Sequence, residues 1–103
     1  MTAHMVVYMN ITDSSWIDDY FTAVPGLLAE YGAKPVAGGR EILRLEGERP
    51  APERLAILSF PSLDHIHRFM ADERYLPFKD ARKRGSQSEI FIFENEVMDG
   101  ELR

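Results

Sequence analysis

The chain contains no cysteine, which removes disulfides, thiolate nucleophiles and cysteine-ligated metals from consideration. It has no apolar run near the ~20 residues that a membrane-crossing helix needs. Histidine occurs three times and tryptophan once. Basic charge is in short supply: 12 Lys and Arg stand against 17 Asp and Glu, a net charge of −5. A nucleic-acid binder needs a basic face to displace counterions from phosphate, so the balance speaks against that class. The N-terminal MTAHMVVYM has no Lys or Arg, and its apolar run is too short for a signal peptide. The expectation is a cytoplasmic protein with neither a membrane nor a nucleic-acid partner. No linker, repeat or low-complexity tract divides the 103 residues. One domain is expected over 1–95, followed by a polar tail, 96–103.

Apolar residues are arranged so that the strands are apolar on both faces. Segments 5–11 (MVVYMNI), 54–60 (RLAILSF) and 90–94 (IFIFE) are β-rich at odd and even positions alike, whereas a half-solvated strand alternates. From Trp16, a helical wheel places Ile17, Tyr20, Phe21, Val24, Leu27, Leu28 and Tyr31 within an arc of about 140°. Pro25 removes one backbone donor and predicts a kink. Ser15 and Asp18 have capping-box-like spacing, and Gly32 suits the position after the helix. Residues 34–46 read as a second strand bent or bulged at Gly38-Gly39. Ser62 caps the next helix, with Leu63, Ile66, Phe69 and Met70 inward and Asp64–Arg68 as an exposed pair. A further helix covers about 73–84, with Pro77 kinking or starting it, and a last strand runs from about 88 to 94.

The order β-α-β-β-α-β predicts an α+β, ferredoxin-like fold: a four-stranded antiparallel sheet with helices on one face. Two helical regions cover only one face, so the other is expected to be buried against a second copy, as a homodimer through the open sheet face.

The runs YGAKPVAGGREILRLEG, PERLAILSFPSLD and YLPFKDARKRGSQSEIFIFE resemble the family called domain of unknown function 1330, in the dimeric α/β-barrel superfamily. The resemblance implies the βαββαβ fold and a dimeric α/β barrel. The wider superfamily includes cofactor-free monooxygenases, haem-degrading monooxygenases, lactone isomerases and dehalogenase-like proteins. The haem-degrading relatives use a first-strand Asn, a central-strand Trp and a His on the second helical region. Here Asn10 and His65 or His67 are available, but the only tryptophan, Trp16, opens the first helix. No haem and no other cofactor is expected.

Arg82 is the leading candidate site residue. It falls between Tyr75 and Phe78 on the sheet-facing side of its helix, where a guanidinium offers bidentate recognition of a carboxylate. The alternative is a snorkelling arginine paired with a nearby Glu. Gly38-Gly39-Arg40 resembles a phosphate-cradling turn, but a β-bulge explains the glycines better; Arg40 beside them is a candidate for a pocket mouth. Asn10 is a further ligand-binding candidate. Tyr8, His67 and Tyr75 are the candidates for proton transfer, and each is also explained as core or boundary packing. His65 and His67 point about 200° apart on a helix, so no metal site is expected. Neither a GxSxG, a P-loop nor a dinucleotide fingerprint is present. Two functions remain open: a cofactor-independent enzyme acting on a small anionic or aromatic molecule in a pocket between sheet and helices, or a non-catalytic small-molecule-binding or stress-related protein.

Overall fold

A computed structural model describes residues 2–95. The elements run β1 (Ala3–Ile11), α1 (Ile17–Glu30), β2 (Lys34–Gly39), β3 (Arg54–Phe60), α2 (Leu63–Ala71), α3 (Leu76–Gly85) and β4 (Ser86–Glu94). The strands form one sheet in the order β2-β3-β1-β4, and every pairing is antiparallel. This is the ferredoxin-like arrangement, with the helices on one face. No helix among these residues is long and apolar enough to cross a membrane. The tail 96–103 lies outside the described residues.

Parity along β1 divides the molecule into two sides. Ala3 and Met5 are buried with Val24 and Leu27 of α1, Phe60 of β3, Ile66 and Phe69 of α2, and Tyr75. Directly opposed residues share a face, so the register Val7↔Ala56 and Val7↔Ile90 continues this core face. The even residues turn the other way. Val6 lies between Ile57 and Phe91, and Phe91 and Phe93 are 53% and 50% exposed. The chain therefore has an apolar sheet face that none of its helices covers.

Turn chemistry fixes the helix ends. At the end of α1, Gly32 donates to the Ala29 carbonyl at 3.0 Å and Ala33 to the Leu28 carbonyl at 3.1 Å. That is a Schellman closure, and it needs the positive φ of 74° at Gly32. Ser62 Oγ accepts from the His65 N–H at 3.2 Å to cap α2, and Asp64 pairs with Arg68 at 2.9 Å. Pro77 sits in the first turn of α3.

Three local expectations need correction. Trp16, not Ser15, occupies the N-cap position of α1, with no side-chain capping hydrogen bond; Asp13 accepts from the Ser15 N–H at 3.0 Å in a tight turn of its own. The register shift in β2 lies between Pro35 and Ala37, because proline has no N–H to give to the ladder. Gly38 and Gly39 pair regularly beyond it, with Ala56 and Leu55. Strand β2 also ends at Gly39 rather than continuing to 46. Its partner β3 begins at Arg54, and the segment before that contains Pro50 and Pro52, so residues 40–46 have no strand to pair with.

Candidate functional site

The core face does not fill the space between sheet and helices. Near the middle of the sheet lies a cavity of about 180 Å3, walled by Met5, Val7 and Met9 of β1, Ile90 of β4, and Tyr20, Phe21, Tyr75 and Arg82 from the helical layer. An outer chamber of about 340 Å3 shares Val7, Met9, Phe21 and Ala56 with it and ends at Gly38, Gly39, Arg40 and Arg54. Phe21 belongs to the apolar stripe of α1, yet it is 55% exposed, because it roofs these chambers instead of meeting the sheet.

The polar groups of the inner chamber are few and close together. Tyr20 Oη and Tyr75 Oη share a hydrogen bond of 2.8 Å. Arg82 is only 4% exposed. Its Nη1 donates to Ser88 Oγ at 2.5 Å, and its Nε is buried without a hydrogen-bond partner. None of the ion pairs among the described residues includes Arg82, so the paired-with-Glu reading of this arginine has no support there. Burial pushes the Tyr20 phenol far above its ordinary value of 10.0; Tyr75 adds to the rise and Arg82 opposes it. Tyr20 therefore keeps its proton at physiological pH and offers a hydroxyl for hydrogen bonding, not a base. Among the described residues the inner lining holds no carboxylate and no imidazole.

The backbone around Arg82 is firmly held. Helix α3 passes into β4 without a loop, and Ser86 Oγ donates to the Arg82 carbonyl at 2.5 Å. One turn on, the Gly85 carbonyl accepts from the Thr12 and Asp13 N–H groups at 3.0 and 3.1 Å and from Trp16 Nε1 at 3.2 Å. The indole lies so close over Gly85 that a Cβ there would overlap it and approach the Asp13 carbonyl oxygen to 2.9 Å. Only glycine allows this joint between the β1–α1 corner and the α3–β4 junction.

The sequence candidates separate by strand parity and helix face. Tyr75 lies in the inner chamber beside Arg82, and Arg40 stands at the outer chamber. Tyr8 and Asn10 occupy even positions of β1 and fall on the opposite, open face. Tyr8 meets Phe91 edge-on at 6.0 Å and lies under the Arg49 guanidinium, which is paired with Glu89. Asn10 Oδ1 accepts from the Glu53 N–H at 2.8 Å, and Glu53 Oε1 accepts from the Ile11 N–H at 3.0 Å. Asn10 is thus half of a clip between β1 and the start of β3. His67 is exposed on α2, outside both chambers, and His65 Nδ1 is engaged with Ser62 Oγ at 2.6 Å. His4 stacks on Phe93 at 5.3 Å with Nδ1 buried and unpartnered. Among the described residues no group of three or more His, Cys, Asp or Glu is placed to hold a metal.

Tyr20 and Ser88 escaped the sequence reading as site residues. Tyr20 sits in the apolar stripe of α1 and looks like any amphipathic core tyrosine. Ser88 is a plain strand serine. Their one sequence signal is polarity at a core-facing position, which becomes meaningful only once Arg82 is known to lie beside them.

The architecture and cavity define a ferredoxin-like α+β domain with a buried arginine between its sheet and its helices. The sequence model of the domain of unknown function DUF1330 matches residues 2–96, and the chain belongs to that family. No curated relative matches the sequence. Among solved structures the chain resembles a protein of unknown function from Rhodopseudomonas palustris, at 15% identity over 94% of this chain and 84% of that one, with a TM-score of 0.79. It also resembles SnoaB, a cofactor-independent oxygenase from Streptomyces nogalater, at 17% identity over 97% and 98% of the two chains and a TM-score of 0.65. A dimeric ferredoxin-like protein of unknown function from Bacteroides fragilis matches at 9% identity over 91% and 96%, with a TM-score of 0.53. These likenesses establish a shared fold.

Proposed function

We propose that this protein is a homodimer whose helix-covered cavity binds a small molecule with an apolar body and an anionic head, held by Arg82. The observation that carries the reading is the buried guanidinium: 4% exposed, with Nε unpartnered and no ion pair to a carboxylate among the described residues. A buried charge without a counter-charge costs several kcal/mol, and an anionic ligand is the group that would offset this. Tyr20 and Tyr75 supply hydroxyls at the same place, and the methionine, valine and isoleucine walls suit an apolar body. The dimer follows from Phe91, Phe93, Val6 and Ile57 on the uncovered face, since a stable association that removes ~1,600 Å2 from water would cover them. The dimeric Bacteroides fragilis neighbour of the same fold agrees with this.

Titration with octanoate tests the cavity. Saturable binding by the wild type and at least about tenfold weaker binding by Arg82→Met is the expected result, because a charge-assisted hydrogen bond is worth ~1.5–3 kcal/mol. Equal affinities would refute it. Light scattering at micromolar concentration tests the dimer, and a monomer would refute that part.

A second reading adds chemistry in the same cavity. Two phenols and a guanidinium converging on one spot form the kind of donor set that stabilises a developing oxyanion, and the oxygenase SnoaB shares the fold. Oxygen consumption with a bound phenolic acid would favour it. The Tyr20 phenol held in its protonated form and the absence of a base in the inner lining favour binding alone.

A further inference from the structure

The inner and outer chambers share Val7, Met9, Phe21 and Ala56 in their walls, and each has a cationic group in its lining away from that shared wall. Strand register sets the geometry. Met9 pairs with Ser88 on one side and with Arg54 on the other, so Ser88, Met9 and Arg54 form one row across the core face of the sheet. Arg82 donates to Ser88 at one end of that row. Arg54 stands at the other end, half-buried and in the wall of the outer chamber. Gly39 pairs with Leu55, so Arg40, the next residue, comes level with Arg54 just past the end of β2 and lines the same chamber. The ends of the row are two interstrand spacings apart, ~10 Å, with the apolar Met9 between them and Phe21 above. Neither Arg40 nor Arg54 takes part in an ion pair among the described residues, and the outer lining contains no carboxylate.

We infer that the ligand is a dianion: one anionic group at Arg82 in the inner chamber, a second at Arg40 and Arg54 in the outer one, and an apolar spine over Met9 and beneath Phe21. The inference rests on the binding function proposed above and adds the second anionic group. A single-headed fatty or aromatic acid would leave the outer arginines unused. A small polar dianion would be too short to reach both ends and would strand its charge against the methionine. The class that fits both ends is an α,ω-dicarboxylate, or a carboxylate with a distal phosphate or sulfate on an apolar linker.

Paired calorimetric titrations with octanoate and with its diacid, suberate, separate the claims. The wild type is expected to bind suberate at least about tenfold more tightly than octanoate, the gain from one further charge-assisted contact. Succinate, which is too short, should gain nothing. In the double variant Arg40→Gln/Arg54→Gln the suberate-to-octanoate ratio should fall to near one, with folding checked by an unfolding curve. A wild-type ratio near one with saturable octanoate binding overturns the dianion and leaves the single-anion function standing. A high ratio that survives the double variant overturns the role of Arg40 and Arg54. Failure of both ligands to bind overturns this inference together with the function on which it rests.

Discussion

Replacing Arg82 by methionine should stabilise the ligand-free protein while weakening its affinity for carboxylates at least about tenfold. Methionine keeps most of the side chain's length and packs adaptably, so the change removes the guanidinium without opening a large void. What is lost is the hydrogen bond to Ser88, worth ~1.5–3 kcal/mol for a charged donor, and a weaker contact with the Tyr20 phenol. What is relieved is the desolvation of a cation that is 4% exposed, lacks a partner at Nε and makes no ion pair among the described residues, a penalty of several kcal/mol. Water entering the cavity offsets part of that penalty. Ser88 is only half-buried, so its hydroxyl can find water once the arginine is gone, and Tyr20 and Tyr75 still satisfy each other. The balance favours methionine by about 1–2 kcal/mol. Urea unfolding at a fixed protomer concentration measures it, as a higher midpoint with an unchanged slope. A loss of more than about 2 kcal/mol would show that the guanidinium is a structural group with its needs already met, and the argument for a ligand would fall with it.

Four further outcomes follow from the same structure. Gly85→Ala should cost at least about 2 kcal/mol, measured by urea unfolding, because the new Cβ overlaps the Trp16 indole; a neutral result would mean that the Trp16–Gly85 joint does not hold the corner. Leu27→Ala should cost about 2–5 kcal/mol, since Leu27 is buried in the core. The Asp72 carboxyl is held well below its ordinary 3.8 by hydrogen bonds from Arg74 first and Tyr31 second. Its contribution is therefore present at and above the ordinary carboxylate range and lost as pH falls through the depressed folded value, so the stability gap between wild type and Asp72→Asn should be steady near neutrality and close in strong acid. For Tyr20, whose folded value is raised by burial, the sign is reversed. Its contribution is present below pH ~10 and lost above, so in an alkaline titration its phenolate absorbance should appear only as the protein unfolds, whereas the Tyr20→Phe variant should lack that delayed step.

Much of the fold was legible because it rests on periodicity. The double-sided apolar strands 5–11 and 54–60 and the stripe from Trp16 to Tyr31 each record which neighbours a residue must meet. The α1 stripe misled at Phe21, because hydrophobicity alone does not distinguish a residue that meets the sheet from one that roofs a chamber. The length of β2 was misjudged because a strand ends where its partner ends, and the partner's start at Arg54 is a tertiary fact. Of the candidate site, Arg82, Tyr75 and Arg40 were readable from wheel position and the glycine turn. Tyr8 and Asn10 lie on the sheet face opposite Arg82, which could not be read in advance because both faces of β1 are apolar and sequence pattern gives no sign of which parity faces the helices. Tyr20 was hidden by its resemblance to ordinary core packing.

Methyl-resolved NMR with octanoate tests the central claim most directly, because it reports both where the ligand sits and whether Arg82 holds it there. Saturable shifts are expected at Met5, Val7, Met9 and Ile90, which line the inner chamber, with little change at Val6 and Ile57 on the open face and loss of the shifts in Arg82→Met. Shifts confined to Val6 and Ile57, or an undiminished response in Arg82→Met, would contradict the claim.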